Sequence, residues 1–325
     1  MTEHAQKVMT MDEAIDRYVF DGCHMSLGGF TINRNPMAAT HEIIRQRKKA
    51  LHVYAHSNGQ AIDELVGAAC VTKLEIAYAG TGLFAPTCIR FMNAVKNGSI
   101  QVEDYSNFQM TLRFLAGALG VPFLPTKSGL GSDLIAQWGF SESDRKKDPK
   151  IPDKKLMVTH NPFGTWMDTH KVVLVPAIQT DVTIVHVQKA DKHGSAKIDG
   201  LLFADVEQIK SARHVIVTCE ELVESDELRK SSDLIKIPPF CVDAVVCVPY
   251  GAYPTACFGH YDYDPVYLKE YAGYAENDAS FQAYLDQFIY GTANHDALLK
   301  RVGAERLKRI KADPDAGYAV GLDRK

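Results

Sequence analysis

Two adjacent glycines followed by a phenylalanine, Gly28-Gly29-Phe30, constrain the fold of this chain more than any other feature of its sequence. A short apolar stretch precedes them, and Asn35-Pro36 follows as a good N-cap and a residue suited to the first helical position. Because glycine has no Cβ, the backbone can approach a ligand closely at this point. The pattern predicts a strand, a loop and a helix N-terminus whose free N–H groups suit an anion or an oxyanion. A tight strand-to-helix turn that binds no ligand has the same local sequence.

Apolar runs alternate with helical segments along the rest of the chain, and this alternation predicts the fold class. The predicted strands cover residues 23–27, 51–55, 74–79, 99–103 and 121–124, and later apolar runs of the same kind cover 172–175, 182–185, 215–217 and 242–248. The predicted helices cover residues 11–19, which follow a capping box of Thr10 and Glu13, and 36–48, 60–69, 86–97 and 107–119. Strands that are apolar on both faces and separated by helices indicate an α/β fold with an open, mostly parallel sheet that helices cover on both faces.

Two segments interrupt this alternation. Residues 141–155 are charged and contain two prolines, which predicts a solvated surface loop. From residue 262 to the end the sequence is helical in pattern and rich in Tyr and Asp. We therefore expect an α/β domain over residues 1–261, with residues 262–325 forming a helical C-terminal extension of the same domain.

The bulk composition argues against several functional classes. The 325-residue chain has a formal net charge of −4 and a pI near 6.3, so no electrostatic argument favours nucleic acid or an acidic membrane surface as a partner. No apolar run approaches the roughly 20 residues that span a bilayer, and residues 1–7 lack the apolar region of a secretory signal. The 7 cysteines show no CxxC spacing, which is typical of reduced thiols and predicts a cytoplasmic protein.

A second glycine loop, Gly80-Thr81-Gly82, lies between a predicted strand and a predicted helix. With Ala85 it imitates the dinucleotide fingerprint G-x-G-x-x-A, and Glu103 ends the next strand at about the distance expected of a ribose-binding acid. Ligands of open α/β sheets bind beyond the carboxyl ends of the strands, where both glycine loops begin. The two loops are therefore predicted to border one crevice, although an ST-turn that caps the next helix is an alternative role for Thr81.

Two further groups are candidates for chemistry. Glu103-Asp104 pairs two carboxylates at a strand end, where one with a raised pKa can act as a base; a helix-entry cap is the alternative. Gly129, Gly131 and Ser132 belong to a loop that suits a phosphate or a pantetheine, or that forms a simple turn.

Other chemistries find no support in the sequence. His52 and His56 are four residues apart, but on a predicted strand rather than a helix, and no carboxylate completes a ligand set. No metal site is therefore predicted. The chain also lacks the G-x-S-x-G motif of a serine hydrolase.

The glycine-phenylalanine stretch resembles the signature of the A subunit of class I CoA-transferases. The matching positions are Asp21, Gly22, Met25, Leu27, Gly28, Gly29, Phe30 and Pro36. Ser26 departs from the apolar triplet of the signature, and Arg34 stands where many members carry Gly; the Arg form resembles the glutaconate CoA-transferase branch. Further similar segments cover residues 103–106, 121–125, 161–163, 217–221, 243–246 and 249–252, so the resemblance spans most of the chain.

The resemblance implies one half of a heteromeric enzyme that moves CoA between an acyl-CoA and a carboxylic or dicarboxylic acid. In such enzymes a glutamate attacks the thioester and forms an acyl-glutamyl anhydride and then a glutamyl-CoA thioester. In two-gene members this glutamate is found in the B subunit, and no glutamate of this chain lies in the Gly-flanked loop that carries it; Glu220-Glu221 are predicted to lead into a helix. The implied partner is the B subunit, in A–B pairs that form an α2β2 or larger assembly, with coenzyme A as co-substrate and neither a metal nor NAD.

The same resemblance implies roles for particular residues. The amides near Gly29 and Phe30 would stabilise the thioester oxyanion, and Thr81 would touch the acyl group. Arg34 would pair with the distal carboxylate of a dicarboxylate substrate, and a solvent-exposed side chain on the turn is the alternative. The substrate wall would include Gly28, Thr31, Gly80 and Gly82, and coenzyme A would contact Gly129, Gly131 and Ser132.

Two alternatives remain open. The chain is also similar to subunits of a CoA-ester hydrolase that opens a steroid ring by cleaving a carbon–carbon bond, in which Glu103 or Asp104 would serve as the acid. The sequence of the B subunit discriminates, because the presence of its glutamate favours transfer and the absence of that glutamate favours hydrolysis. The weaker alternative is an NAD-dependent oxidoreductase, which a titration with NADH would test.

Overall fold

A nine-stranded, mostly parallel sheet forms the centre of the protein in the computed structural model, which describes residues 7–324. The strands among these residues, including those outside the central sheet, are β1 (His24–Leu27), β2 (Leu51–Asn58), β3 (Val71–Ala79), β4 (Gln101–Asp104), β5 (Phe123–Thr126), β6 (Met157–His160), β7 (Lys171–Pro176), β8 (Thr180–Ala190), β9 (Ala196–Lys197), β10 (Ala212–Leu222), β11 (Ile235–Ile237) and β12 (Ala244–Cys247). Seven of them run parallel in the order β12-β10-β8-β1-β2-β3-β4, and the short β9 and β11 extend the sheet in antiparallel fashion from β8. The predicted α/β fold is confirmed. Residues 1–6, which carry most of the segment that lacks the pattern of a secretory signal, lie outside the described residues.

Helices cover both faces of this sheet. The α-helices of the described residues are α1 (Met11–Tyr18), α2 (Met37–Arg45), α3 (Gln60–Gly67), α4 (Ile89–Asn97), α5 (Asn107–Leu119), α6 (Glu142–Lys147), α7 (Asp205–Lys210), α8 (Ser225–Arg229), α9 (Pro265–Ala275), α10 (Asp278–Tyr284), α11 (His295–Val302) and α12 (Ala304–Ile310). On β8, Val182 and Ile184 face an apolar cluster shared with α1–α4, whereas Val185 and Val187 face a second cluster that contains Ile209 of α7. Burial on both faces is typical of a parallel sheet. No helix within residues 7–324 combines the length and apolarity needed to cross a membrane.

One predicted helix cap is confirmed and another is wrong. Thr10 Oγ1 accepts the N–H of Glu13 at 3.2 Å, and the Glu13 carboxylate accepts the N–H of Thr10 at 2.9 Å. The predicted N-cap at Asn35 is wrong, because Pro36 occupies the cap position of α2 without a side-chain hydrogen bond. The side-chain oxygen of Asn35 instead accepts the N–H of Ala61 at 3.4 Å, which links the glycine loop to α3.

The apolar run at 172–175 does not continue the parallel sheet as predicted. It belongs to β7, the middle strand of a separate antiparallel sheet in the order β5-β7-β6. Val173 and Val175 are buried, while Val172 and Leu174 between them are only half-buried. Such alternation suits an antiparallel sheet with one covered face, and an apolar run of four residues does not reveal it.

The predicted surface loop at 141–155 is wrong in two respects. Part of it forms the short helix α6, and both Arg145 and Lys155 are buried. Arg145 pairs with Glu103, and Nζ of Lys155 lies 2.9 Å from Oδ1 of Asp104. Charged side chains are buried when they are paired, and here the partners come from a strand end that is distant in the sequence.

Glu220 and Glu221 do not lead directly into a helix as predicted. Both lie near the end of β10, and α8 begins only at Ser225. Glu220 is buried; its carboxylate accepts the hydroxyl of Tyr261 at 2.6 Å and lies 2.6 Å from Nε2 of His186. This carboxylate is therefore part of a hydrogen-bonded core network.

The chain after residue 262 is helical, as predicted. Tyr271 of α9 and Tyr284 of α10 lie in the same apolar cluster as residues of β1, β2 and β3. The hydroxyl of Tyr271 donates to Asp63 at 2.9 Å, and that of Tyr284 donates to Glu64 at 2.9 Å, so both reach α3. The boundary at residue 261 stays a prediction.

The strand order reverses direction at β1, which determines where a crevice can form. β1 pairs with β2 on one side and with β8 on the other, while the chain proceeds from β2 to β4 away from β8. Connections that leave β1 and β8 therefore diverge, and open α/β sheets bind ligands at such a switch point. Gly28 directly follows β1 there.

Candidate active site

The Gly28-Gly29-Phe30 loop leaves the carboxyl end of β1 at this switch point. A Cβ on Gly28 would lie 2.7 Å from Oδ1 of Asp205 and 2.8 Å from Cγ1 of Val185. Gly29 has a φ of +80°, a left-handed conformation that glycine adopts at little cost. The packing and backbone conformation of the loop therefore require both glycines, whether or not a ligand approaches them.

A buried ion pair holds the loop in place. Asp205, at the start of α7, accepts the N–H of Gly29 at 2.9 Å and lies 2.8 Å from Nη2 of Arg34. Arg34 also donates to the carbonyl oxygens of His186 at 3.1 Å and Leu201 at 3.0 Å. Burial alone would raise the pKa of Asp205, but the charge of Arg34 and the hydrogen bonds from Arg34 and Gly29 hold it below its usual value. Arg34 faces a carboxylate of its own chain, in place of the predicted substrate carboxylate.

The amides predicted to be oxyanion donors are engaged within the chain. The N–H of Gly29 donates to Asp205, and the N–H of Phe30 donates to the carbonyl oxygen of Asn33 at 2.8 Å. Thr31, inside this turn, has a φ of 47°, a conformation that non-glycine residues seldom adopt. An oxyanion role for Phe30 therefore requires its N–H to leave Asn33.

The two predicted glycine loops come together at the end of β2. Thr31 and Gly80 each donate their N–H to a carbonyl oxygen of the last two residues of β2, at 3.2 and 3.1 Å. Gly59 lies between them; a Cβ there would be 2.7 Å from the carbonyl oxygen of Thr31 and 2.8 Å from Cγ2 of Thr81. One site therefore includes both loops.

Thr81 is buried in this site with a weakly held hydroxyl. Its N–H donates to the carbonyl oxygen of Ala85 at 2.8 Å, but its Oγ1 lies 3.4 Å from the same oxygen, which is long for a hydrogen bond. Gly82 follows with a φ of +64°, and Leu83 at the tip of the loop is 83% exposed. The hydroxyl of Thr81 is thus able to exchange its contact for one with a ligand.

A cluster of two phenylalanines and one histidine borders the same loop. The sequence does not indicate that these three side chains lie together. The ring of Phe30 stacks on Phe203 with centroids 4.4 Å apart and lies 5.7 Å from the imidazole of His56. Within residues 7–324, Nδ1 of His56 has no hydrogen-bond partner. Burial lowers the pKa of His56, although a hydrogen bond with the backbone of Asn107 and the charge of Asp205 oppose the shift. A neutral imidazole at this position can exchange one hydrogen bond with a ligand.

Comparison with known proteins decides the family. The family model for coenzyme A transferases matches residues 8–248. The A subunit of glutaconate CoA-transferase from Acidaminococcus fermentans is 39% identical over 97% of this chain and 98% of its own length. A crystal structure of that enzyme matches the fold with a TM-score of 0.92, again over 97% of this chain and 98% of the other. This chain belongs to the coenzyme A transferase family.

Two further relatives indicate how far the similarity of this chain to other proteins extends. The A subunit of 3-oxoadipate CoA-transferase from Pseudomonas knackmussii is 32% identical over 88% of this chain and 94% of its own. A cholesterol ring-cleaving hydrolase subunit of Rhodococcus jostii is 26% identical over 94% of this chain and 100% of its own. The predicted kinship with CoA-transferase A subunits is confirmed, and the weaker resemblance to the hydrolase branch is present as well.

The adjacent acids Glu103 and Asp104 of this CoA-transferase have different surroundings. Glu103 is 1% exposed, pairs with Arg145 and accepts the N–H of Gly139 at 3.1 Å, whereas the side chain of Asp104 is 61% exposed. Glu103 is therefore not open to the ribose of a dinucleotide. Since α4 begins only at Ile89, the second glycine loop also lacks the helix start that the dinucleotide fingerprint requires.

The loop predicted to contact coenzyme A packs against the start of α5. Oγ of Ser132 donates to the carbonyl oxygen of Gly129 at 2.7 Å, and Gly131 between them has a φ of +78°. A Cβ on Gly129 would lie 2.5 Å from Nε2 of Gln109, a buried amide nitrogen without a hydrogen-bond partner in the described part of the chain. The role of this loop toward coenzyme A stays a prediction.

Large apolar side chains are exposed around the site. Leu83 is 83% exposed after β3, Phe108 is 54% exposed on the first turn of α5, and Leu201 is 65% exposed in the segment that leads to α7. We call these three residues the apolar rim. Exposed apolar groups clustered around a site indicate an interaction surface. A large cleft of about 1220 Å³ lies elsewhere, against α9 and α12.

Proposed function

We propose that this chain is the A subunit of a heteromeric class I CoA-transferase that moves CoA between an acyl-CoA and a carboxylic or dicarboxylic acid. The observation that carries the proposal is the 39% identity to a glutaconate CoA-transferase A subunit over 97% of this chain. The glycine-phenylalanine loop supports it, because this loop adjoins Thr81 and His56 at the switch point of the sheet.

The attacking glutamate is assigned to the partner, the B subunit. Its carboxylate attacks the thioester carbonyl and expels CoA as a thiolate, which leaves an acyl-glutamyl anhydride; the thiolate then attacks the glutamyl carbonyl and releases the acyl group as a carboxylate. In this chain Glu103 is paired with Arg145, and Glu220 with His186, so both are held inside the fold. We expect no CoA exchange from this chain alone.

The remaining site residues receive separate roles. Phe30 forms an apolar wall, and His56 offers a hydrogen bond to a polar atom of the substrate. The hydroxyl of Thr81 contacts the acyl group. Arg34 is a positioning residue, because its guanidinium acts on the loop through Asp205.

The N–H of Phe30 is the oxyanion donor in this proposal. It donates to Asn33 in the free chain, and opening of this turn transfers the hydrogen bond to the thioester oxygen, while the N–H of Gly29 stays on Asp205. Once the turn has opened, one donor held toward the thioester oxygen stabilises the transition state by about 2.7–4 kcal/mol. The positive φ of Thr31 is a strain that such an opening relieves.

The apolar rim supports the presence of a partner polypeptide. We propose that the B subunit covers Leu83, Phe108 and Leu201 and completes the site, in A–B pairs that assemble as α2β2 or larger. Coenzyme A is the co-substrate and contacts the 129–132 loop. The cytoplasm is the proposed location.

Co-purification with the product of the neighbouring gene tests the proposal. This chain by itself, the candidate partner by itself and the complex of the two are assayed for CoA exchange with a panel of acyl-CoA donors and carboxylate acceptors. Exchange is expected only from the complex, and it should disappear when the loop glutamate of the partner is replaced by alanine. Robust exchange by the isolated chain would contradict the proposal.

A ring-opening CoA-ester hydrolase is the second candidate, and the 26% identity to a cholesterol ring-cleaving hydrolase subunit favours it. In that reaction a carboxyl group of this chain, Glu103 or Asp104, acts as the acid. Asp104 is the more accessible of the two. Ring opening of a cyclic CoA ester by a complex whose B subunit lacks the glutamate, and its loss in Asp104→Asn, would establish this alternative.

A further inference from the structure

A group of polar residues at the opposite edge of the sheet has no role in the proposed transfer reaction. His24 is the first residue of β1, and His52 on β2 is its register partner. The centroids of their rings are 4.3 Å apart, and Asp148, which follows α6, lies beside them. We infer that His24, His52 and Asp148 bind one divalent transition-metal ion of the Zn²⁺ class.

The donor atoms are close enough for a single ion. One ring nitrogen of each histidine and one carboxylate oxygen of Asp148 all lie within 4.8 Å of one another. Nε2 of His24 is 2.8 Å from Oδ2 of Asp148. Tetrahedral Zn–N and Zn–O bonds of about 2.0–2.2 Å place neighbouring ligand atoms roughly 3.4 Å apart, so small side-chain shifts accommodate the ion.

His52 provides an observation that hydrogen bonding alone does not explain. Its side chain is 3% exposed, its Nε2 lies 2.9 Å from Glu75, and within residues 7–324 its Nδ1 has no hydrogen-bond partner. An unsatisfied buried polar atom destabilises the folded state, and coordination of an ion would remove this destabilisation. The buried His186 differs, because Thr218 and Glu220 occupy both of its nitrogens.

The second nitrogen of each histidine is already oriented. Nε2 of His52 faces Glu75, which also pairs with Arg113, and Nδ1 of His24 lies 2.8 Å from the hydroxyl of Tyr54. Histidines that bind metals use their second nitrogen in this way, because a carboxylate or another polar partner fixes the tautomer and the ring orientation. The site therefore has both a ligand set and the contacts that orient it.

Charge and access also suit a cation. Three carboxylates, those of Glu75, Asp148 and Asp181, surround the histidines, against the two cations Arg113 and Lys150. Nζ of Lys150 is held by Asp181 at 2.5 Å. The side chain of Asp148 is 23% exposed, so an ion can enter and a water can occupy the fourth position.

The donor types select the class of metal. Two imidazoles and one carboxylate suit Zn²⁺ or Co²⁺ better than Mg²⁺ or Ca²⁺, which prefer oxygen ligands. The sequence prediction of no metal site paired His52 with His56, whereas the fold places His52 next to His24. Residue spacing therefore does not reveal the ligand set, which forms only when β1 and β2 pair.

A spectroscopic titration tests the site. The full chain is stripped with EDTA, dialysed and titrated with Co²⁺, whose visible absorption reports tetrahedral coordination, and Zn²⁺ is then used to compete. We expect one equivalent to bind and the melting temperature to rise, because the ion binds the folded state. His52→Gln and Asp148→Asn should each weaken binding about tenfold or more. His214→Gln is the control, since His214 is a partly exposed histidine 3.4 Å from Asp243.

Two results would overturn the inference. One is the absence of both the Co²⁺ signal and the melting-temperature shift in the unmodified chain, and the other is undiminished affinity in Asp148→Asn. If circular dichroism shows that His52→Gln fails to fold, Asp148→Asn decides, because Asp148 lies at the surface. None of these measurements depends on CoA transfer, so their failure leaves the proposed function intact.

Discussion

The carboxyl and amino edges of the central sheet consist of the same strands but differ in how completely their polar side chains are hydrogen-bonded. At the carboxyl edge, Thr81 has a weakly held hydroxyl and His56 has a nitrogen without a partner among residues 7–324, with exposed apolar side chains around them. At the amino edge, His24 and His52 lie inside a network of buried partners that opens to solvent at Asp148. One edge thus has the features of a reaction site bordered by an interaction surface, and the other has those of a buried polar cluster with one opening to solvent.

The buried ion pairs at the two edges also differ in the element that they hold. Asp205 receives its hydrogen bonds from a loop and therefore sets the position of Gly29 and Arg34. Glu75 lies within a regular strand and joins Arg113 of α5 to the sheet. Loss of the first should disturb the reaction site directly, whereas loss of the second should act on the stability of the fold.

The largest effect is expected for Asp205→Ala, which leaves the buried charge of Arg34 without its partner. We expect the free energy of unfolding to fall by about 3–5 kcal/mol, and the complex to lose CoA exchange because the glycine loop is released. Urea unfolding and the exchange assay measure the two effects. Asp226→Ala is the control, since it removes an exposed pair with Arg229 and should change stability by less than about 0.5 kcal/mol. Normal exchange by Asp205→Ala would show that the loop does not depend on this pair.

Glu75→Gln tests the amino edge and should cost about 3 kcal/mol. Burial alone would raise the pKa of Glu75, but Arg113 and His52 lower it to about 2 from the usual 4.5. Because the pKa is lowered in the folded state, the stability that this carboxylate contributes is present above about pH 4.5 and is lost as the pH falls toward 2. Urea unfolding across this range should show a flatter pH dependence in Glu75→Gln than in the wild type or in the exposed control Glu142→Gln. Identical slopes in all three proteins would mean that the charge of Glu75 does not stabilise this edge.

A pair of leucine substitutions distinguishes the surfaces at the two edges. Leu83→Asp, on the apolar rim, should weaken binding of the B subunit roughly tenfold, because it places a charge in the interface. Leu119→Asp, at the C-terminal end of α5, alters a residue that is 60% exposed and should leave assembly unchanged. Analytical ultracentrifugation or biolayer interferometry provides the dissociation constants. Equal affinities for both variants would place the interface elsewhere.

The smallest expected effect is that of Thr81→Val. Removal of one neutral hydrogen bond of about 0.5–1.5 kcal/mol to the acyl group should lower turnover of the complex by a factor of about 2–13. Assembly and unfolding should change little, because the hydroxyl makes only a 3.4 Å contact with Ala85. Thr111→Val, which removes a 3.1 Å hydrogen bond to the carbonyl oxygen of Asn107 on α5, is the control for the substitution itself. An unchanged rate would leave Thr81 a structural residue.

The parts of the fold that depend on neighbouring residues could be predicted from the sequence. The capping box of Thr10 and Glu13, the alternation of strands and helices, and the two glycine loops all depend on contacts within a few positions. Because parallel strands end at one edge, the convergence of the loops at Gly59 also followed from the alternation.

The parts that were missed depend on partners distant in the chain. Asp205 is 176 positions from Gly29, and no motif around it indicates that it holds the glycine loop. The charges of Arg145 and Lys155 are typical of a surface loop. Local composition does not reveal their partners at the end of β4, which allow both side chains to be buried. The apolar run in β7 does not indicate its sheet for a similar reason, since four residues do not specify a pairing partner.

The hydrogen bond from Arg34 to the carbonyl oxygen of Leu201 links the glycine turn to the apolar rim. The side chain of Leu201 belongs to the surface that the second polypeptide is proposed to cover, while its backbone touches the guanidinium that steadies the glycine turn. The backbone of Leu201 is thereby connected to the amide of Gly29 through Arg34 and Asp205, a path of three contacts. Docking of the partner and rearrangement of the glycine turn would then be a single event, and an unassembled chain would keep the turn in the closed form described above.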